Sequence, residues 1–349
     1  MALVIGIIFA TLAGLGAGTS AWPFKVIKDI HFEQYVFLNL LLGLVIYPWI
    51  IVLFAVPDPG LMIETVGSKT LIISNLLSVA WGVANLLCMI CILRIGAALT
   101  GAILSALGMS VGIIVPLILK GTGLFTNAPD LFSKPGLVIM IGLTVVIAGV
   151  VLVSVAGFGR EKALKNESGQ IQKKQASGDF RKGLVLAIIA GILSCGLGLA
   201  FVYSQGPIIE AVKQQGAGEM VANVAVWALA CLGGALVNIL YAAFWMTRKK
   251  TWNLLFIRKD ELVCSLLVGL QFLGSMVLMG RGMVMLGILG ASVGFGIQQS
   301  MQIIGNQIVG FFGGEWKGVY GQPRRIMYFA LGVIFIAVLI LAYSNTIAK

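Results

Sequence analysis

Charge is scarce in this chain. Its 349 residues include 13 aspartates and glutamates and one histidine, and only 11% are charged, against about 25% in an average soluble domain. So few charges could not cover the surface of a soluble globule, which excludes a cytosolic enzyme and a disordered chain. Cysteine offers little chemistry. Cys88, Cys91, Cys195, Cys231 and Cys264 all lie in apolar runs. Cys88 and Cys91 have CxxC spacing, but no second pair exists and His31 stands alone, so no metal, cofactor or disulfide is expected. A P-loop is also missing: Gly14-Leu-Gly-Ala-Gly18 is not followed by Lys and Ser or Thr, which excludes an ATP-driven pump in this chain.

Hydrophobic residues, in contrast, make up 59% of the chain, and the mean hydropathy is +1.02. A bilayer core takes about 20 apolar residues per helix. Segments near 3–22, 35–56, 70–93, 96–119, 136–157, 183–205, 221–246, 261–280, 284–311 and 325–346 meet that length. The sequence therefore predicts an all-α integral membrane protein with ten transmembrane helices. The basic residues lie in the gaps between these spans, not on one soluble face, which argues against nucleic acid. Of the 24 lysines and arginines, 18 fall in the odd-numbered gaps and 5 in the even-numbered ones. The positive-inside rule puts the odd gaps in the cytoplasm and both termini outside.

The gap at 158–182 is polar, rich in Lys, Gln and Ser, and close to the midpoint. It divides the chain into five-span units, 1–157 and 183–349. Gly6, Ala10, Ala13 and Gly14 recur as Gly183, Ala187, Ala190 and Gly191, 177 residues later. Five is odd, so two such copies must run in opposite directions through the bilayer, as in the inverted repeats of many secondary transporters.

No ionisable side chain falls in the middle of a predicted span; Glu64, Arg94 and Arg281 sit at ends or in gaps. Ion pathways, proton relays and hydrolytic sites place such groups at depth, so a membrane enzyme is not expected. The polar side chains at depth are neutral. Ser292, Gln299, Gln302 and Asn306 follow spacings that place them on one helix face, and Trp81, Asn85 and Cys88 repeat the pattern in span 3. Asn238 and Gln271 add two amides. Buried amides need partners, so these faces either line a cavity or bind neighbouring helices. A neutral, amide-rich pocket with aromatic walls suits a neutral polyhydroxylated solute. The candidate binding residues are Trp81, Asn85, Gln271, Gln299, Gln302 and Asn306.

Short motifs in order along the chain carry a resemblance. They are Pro23-Phe24-Lys25 with Lys28, Trp81-Gly82-Val83-Ala84-Asn85, Arg94-Ile95-Gly96, Pro207 with Glu210-Ala211, Gly233-Gly234-Ala235 with Asn238, Gln271-Phe272, and Gly314-Glu315-Trp316-Lys317-Gly318. Together they resemble the bacterial L-rhamnose–proton symporter family of the drug/metabolite transporter superfamily. The resemblance implies ten helices in two inverted halves, the bacterial inner membrane, and uptake of a sugar, coupled to protons. It makes Glu210 and Glu315 the coupling candidates, both at span ends. Spans 8 and 9 depart from the family pattern, carrying Gly, Met and Gln in place of an aromatic-rich stretch, so a sugar is implied without fixing rhamnose. A metabolite or drug exporter of the same superfamily is the alternative. Replacing Gln299 or Asn306 by Ala is expected to cut solute uptake while membrane expression, followed by immunoblot, stays intact.

Overall fold

The computed structural model describes residues 2–20, 22–25, 31–118, 130–168, 180–256, 259–287 and 290–347. Among them every regular element is helical. The helices are α1 (Ala2–Thr19), α2 (Phe32–Leu40), α3 (Tyr47–Ala55), α4 (Pro59–Val66), α5 (Ser68–Ile95), α6 (Ala97–Ile118), α7 (Lys134–Ser168) and α8 (Phe180–Leu193). They continue with α9 (Gly196–Gln214), α10 (Glu219–Ala230), α11 (Leu232–Lys249), α12 (Lys259–Leu286), α13 (Phe295–Phe312) and α14 (Gln322–Ile347).

By length and hydropathy, eight of the described helical segments can cross a membrane, and the bent pair α10–α11 makes a ninth. Ten were expected. The shortfall falls on the ninth expected span, 284–311. There α12 runs on to Leu286, a π-turn covers Gly290–Gly294, and α13 follows with 18 residues. Five amides, Gln298, Gln299, Gln302, Asn306 and Gln307, make α13 too polar to qualify as a span. It lies instead among α1, α6 and α14. Arg281, expected in a gap, is within α12. The central linker also begins later than its composition suggests. Glu161, Lys162, Ala163 and Leu164 are good helix formers, and α7 carries them on to Ser168; residues 169–179 lie outside the described residues.

Two of the spans are interrupted. A π-turn at Leu41–Ile46 joins α2 to α3, and a 54° bend separates α10 from α11 at Cys231. A bend in lipid frees backbone groups that must find partners. Here α5 supplies them: Asn75 Nδ2 donates to Leu229 O at 2.8 Å, Asn75 Oδ1 accepts from Gly233 N at 2.8 Å, and Ser78 Oγ accepts from Gly234 N at 2.8 Å.

The repeated small-residue stripe explains the packing. On α1 it is buried at Gly6, Ala10, Ala13, Gly14, Ala17 and Gly18, while Val4, Ile8 and Leu12 point outward. Without hydrophobic drive between helices in lipid, small residues gain close van der Waals contact. A Cβ on Gly14 would lie 2.2 Å from Gln298 O, and one on Gly18 2.2 Å from Gln302 O, so the α1 and α13 backbones touch directly. On α8 the matching Gly183, Ala187, Ala190 and Gly191 are also buried. α1 packs on α12 and α13, whereas α8 and α9 pack on α5 and α6; α7 pairs with α14.

Gly14→Ala or Gly18→Ala should therefore destabilise the protein by about 1–3 kcal/mol through overpacking. Gly332, with open space at its Cβ position, is the control: Gly332→Ala should be neutral or raise stability by up to about 1 kcal/mol. Apparent melting temperatures of the purified variants separate the two outcomes.

Candidate functional site

A cavity of about 250 Å³ lies where α1, α5, α6, α9, α12 and α13 meet. No ionisable side chain lines it. α5 contributes Trp81 and Asn85 and α13 contributes Gln298, Gln299 and Gln302; Ser20, Ser105 and Ser194 come from the ends or flanks of α1, α6 and α8. Phe272, Met276, Met279 and Phe295 form the apolar walls. Trp81, Asn85 and Gln299 make no side-chain hydrogen bond to the described residues, so their polar atoms are available to a solute. Gln298 Nε2 donates to Gln302 Oε1 at 3.1 Å, which orders the α13 face.

Local sequence sets this geometry. The turn between α8 and α9 places Ser194, whose hydroxyl donates to Gly191 O at 2.7 Å and occupies the space left by Gly108, where a Cβ would be 2.2 Å away. Phe295 enters between two helices because Gly112 and Gly198 make room. A Cβ at those positions would approach its ring to 2.4 and 2.7 Å. Neither Ser194, Ser105 nor Phe295 was among the residues the sequence singled out. Ser194 had a signal in the Ser-Cys-Gly interruption of an apolar run, and Phe295 in the glycines that precede it.

Of the six expected binding residues, four, Trp81, Asn85, Gln299 and Gln302, meet at this cavity. Gln271 does not line it. Its Nε2 donates to Gly16 O and Thr19 Oγ1, both at 2.9 Å, and its Oε1 accepts from Trp22 Nε1 at 3.0 Å. It clamps the end of α1 to α12. Asn306 lies about one helical turn beyond Gln302, at an adjoining cavity of about 240 Å³ with Ser154, Arg160, Gln307 and Glu315. Ser105 borders both cavities.

The two carboxylates stand in different surroundings. Glu315 Oε2 accepts from Arg160 Nη1 at 2.6 Å, and Arg160 lies over the Trp316 ring, 5.6 Å from its centre. Glu210 is exposed, with a long contact from Gln214 Nε2 at 3.4 Å as its one side-chain bond among the described residues, in an open vestibule of about 740 Å³ with Gln205 and Lys213. The vestibule and the central cavity share no lining residue; elsewhere in the core, Phe201 of α9 stacks on Trp227 of α10 at 4.5 Å, and both rings are fully buried.

Gln271→Ala removes three hydrogen bonds and should lower stability by about 1–3 kcal/mol. Gln299→Ala removes none and should leave the melting temperature nearly unchanged. Thermal unfolding of the two purified variants tests the division between clamp and cavity residue.

Comparison with known proteins adds a family. Residues 1–347 match the model of the L-rhamnose-proton symport protein family. The chain is 23% identical over 347 residues to the L-rhamnose-proton symporter of Yersinia pestis (strain Pestoides F), covering 96% of each chain. It is 23% identical over 346 residues, again 96% of each, to that of Pectobacterium atrosepticum. These relatives are named as transporters, not enzymes. The chain belongs to the L-rhamnose-proton symport family and is a membrane transport protein.

Proposed function

We propose that the protein carries a neutral sugar across the bacterial inner membrane together with protons, by alternating access of two inverted five-span units around the central cavity. The observation that carries the reading is an uncharged, amide-lined chamber among α1, α5, α6, α9, α12 and α13 of a chain belonging to a sugar–proton symport family. The relatives named for L-rhamnose support a sugar as solute. An uncharged chamber would solvate hydroxyl groups through Asn85, Gln299 and Gln302, while Trp81 offers a face to the C–H side of a sugar ring.

Reciprocal packing supports the inverted units. α1 lies on α12 and α13 as α8 and α9 lie on α5 and α6. Gly6 fits against Met285 and Leu286, and Gly183 against Arg94 and Ile95. Gly14 meets Gln298 and Met301, and Gly191 meets Ile103 and Leu107. These two glycine contacts of one copy have counterparts in the other. The expected α13 crossing completes the count of ten, its polarity explained by its place inside the bundle. In this topology the odd gaps are cytoplasmic and both termini periplasmic, so Glu315 faces the cytoplasm and Glu210 the periplasm.

Coupling is assigned to Glu315 in preference to Glu210. Its cavity shares Ser105 with the central one, and its Arg160 partner gives protonation a structural consequence: a neutral Glu315 releases Arg160 and so loosens α7 from the turn after α13. The vestibule of Glu210 shares no lining residue with the central cavity.

Proteoliposomes provide the test. Rhamnose uptake by the wild type should rise with an imposed inward proton gradient and acidify the lumen. Glu315→Gln should abolish gradient-driven accumulation but keep sugar exchange at equal pH, while Glu210→Gln should change neither more than about twofold. Sugar flux indifferent to the proton gradient would reject symport, and flux only in the opposite direction would favour the exporter reading.

A further inference from the structure

A second cavity, of about 280 Å³, lies beside the central one between α2, α5 and α11. Three asparagines surround it: Asn39 from α2, Asn85 from α5 and Asn238 from α11. Asn39 is 8% exposed, its Oδ1 is enclosed with no partner, and it makes no hydrogen bond among the described residues. Asn85 is likewise unpaired and borders both cavities. Asn238 is 3% exposed. Its nitrogen donates to Gly234 O at 2.9 Å, and nothing among the described residues donates to its oxygen.

Unpaired buried amides are uncommon because each has given up water without replacement. Here Asn39 is buried with its oxygen unpaired, the half-buried Asn85 makes no side-chain hydrogen bond among the described residues, and the oxygen of Asn238 is unused; the three around one cavity point to a ligand that completes them. The fold itself does not ask for these amides. α5 crosses α11 with Gly82 against Gly234, and α12 crosses the π-turn segment with Gly269 against Gly43. Three residues after Gly82 comes Asn85; three after Gly269 comes Phe272. Four residues before Gly43 comes Asn39; four before Gly234 comes Ala230. Each crossing thus carries an amide at one of these two positions and an apolar side chain at the other, so the packing accepts an apolar residue where Asn39 or Asn85 stands.

The rest of the lining narrows the ligand. Glu33 is the one carboxylate at the cavity, and it is paired with Lys249, so no net charge is offered. Apart from the amides the lining is largely apolar, with Val36, Leu40, Leu86, Met89 and Ile92 among its residues. Hydroxyl groups along one edge and a C–H face on the other match this lining.

We propose that this cavity is a second seat for the transported solute, a neutral polyhydroxylated molecule that Asn85 hands across from the central chamber. The proposal rests on the sugar-transport reading above. It makes the solute path branch between α2, α5 and α11 instead of running only along the axis.

Cys88, half-buried, lines the same cavity and is a native reporter. Its alkylation by N-ethylmaleimide at pH 9 can be followed by peptide mass spectrometry with L-rhamnose as the probe, alongside rhamnose uptake in the same vesicles. Rhamnose should slow Cys88 alkylation in the wild type, by about tenfold at a concentration ten times the dissociation constant of the seat. Gln299→Ala, which impairs the central chamber, should keep that protection. Asn39→Leu should abolish it while leaving the sugar-free alkylation rate within about twofold; Asn39→Ala serves if leucine is not accommodated. Wild-type Cys88 that reacts at one rate with and without rhamnose, in vesicles whose uptake saturates, overturns the second seat and leaves the transport reading standing. So does protection that disappears in Gln299→Ala but survives in Asn39→Leu, since it would then reflect movement around the central chamber. If the wild type takes up none of a panel of neutral sugars, rhamnose included, the transport reading and the second seat fall together; if it takes up another sugar of the panel, that sugar replaces rhamnose as the probe.

Discussion

A direct backbone approach in the core, α1 against α13, governs much of the rest. In lipid, an amide-rich helix such as α13 cannot face hydrocarbon. It is acceptable only if apolar helices enclose it, and enclosure at this range needs a neighbour with almost no side chains. The Gly14–Gly18 edge of α1 is that neighbour. With its backbone against Gln298 and Gln302, α13 turns its amides away from lipid and into the space shared with α5 and α6. The polarity of the chamber and the glycines of the first helix are therefore parts of one constraint.

The same economy governs the polar side chains elsewhere. Asn75 and Ser78 of α5 occupy the backbone groups released at the Cys231 bend, and Gln271 ties down the end of α1. Each is neutral and has its polar atoms engaged by backbone groups or, for Gln271, also by the side chains of Thr19 and Trp22. Those of Trp81, Asn85 and Gln299 are not. This contrast, more than residue type, separates the amides that hold the fold from those that remain for a solute.

Sequence conveyed the membrane class and most helices clearly, because long apolar runs dominate the chain and the bilayer sets their length. It also conveyed four of the residues that meet at the central cavity, since Gln299 and Gln302 fall on one helix face and Trp81 and Asn85 on another. Periodicity could not tell that Gln271 would be consumed by Gly16, Thr19 and Trp22, because those partners lie about 250 residues away in the chain. Nor did hydropathy agree with the ninth expected span: its amides, read as a cavity signal, are the same residues that make α13 too polar to register as one. The α12 boundary was missed because Arg281 looked like a gap residue, whereas it is held in the helix and paired with Glu219 of α10. The helical continuation of α7 past Gly159 was hidden for a similar reason, since polarity there marks departure from the bilayer and not the end of a helix.

Phe295 has a mechanical consequence. Its ring sits in two notches at once, one cut by Gly112 in α6 and one by Gly198 in α9. A rigid aromatic disc lodged this way acts as a spacer: neither helix can slide toward the other until the ring leaves one of its seats. Closely packed interiors move between discrete arrangements rather than deforming smoothly. The disc therefore makes the separation of α6 and α9 a two-position affair, and it ties that separation to the rotation of the helix that begins at Phe295.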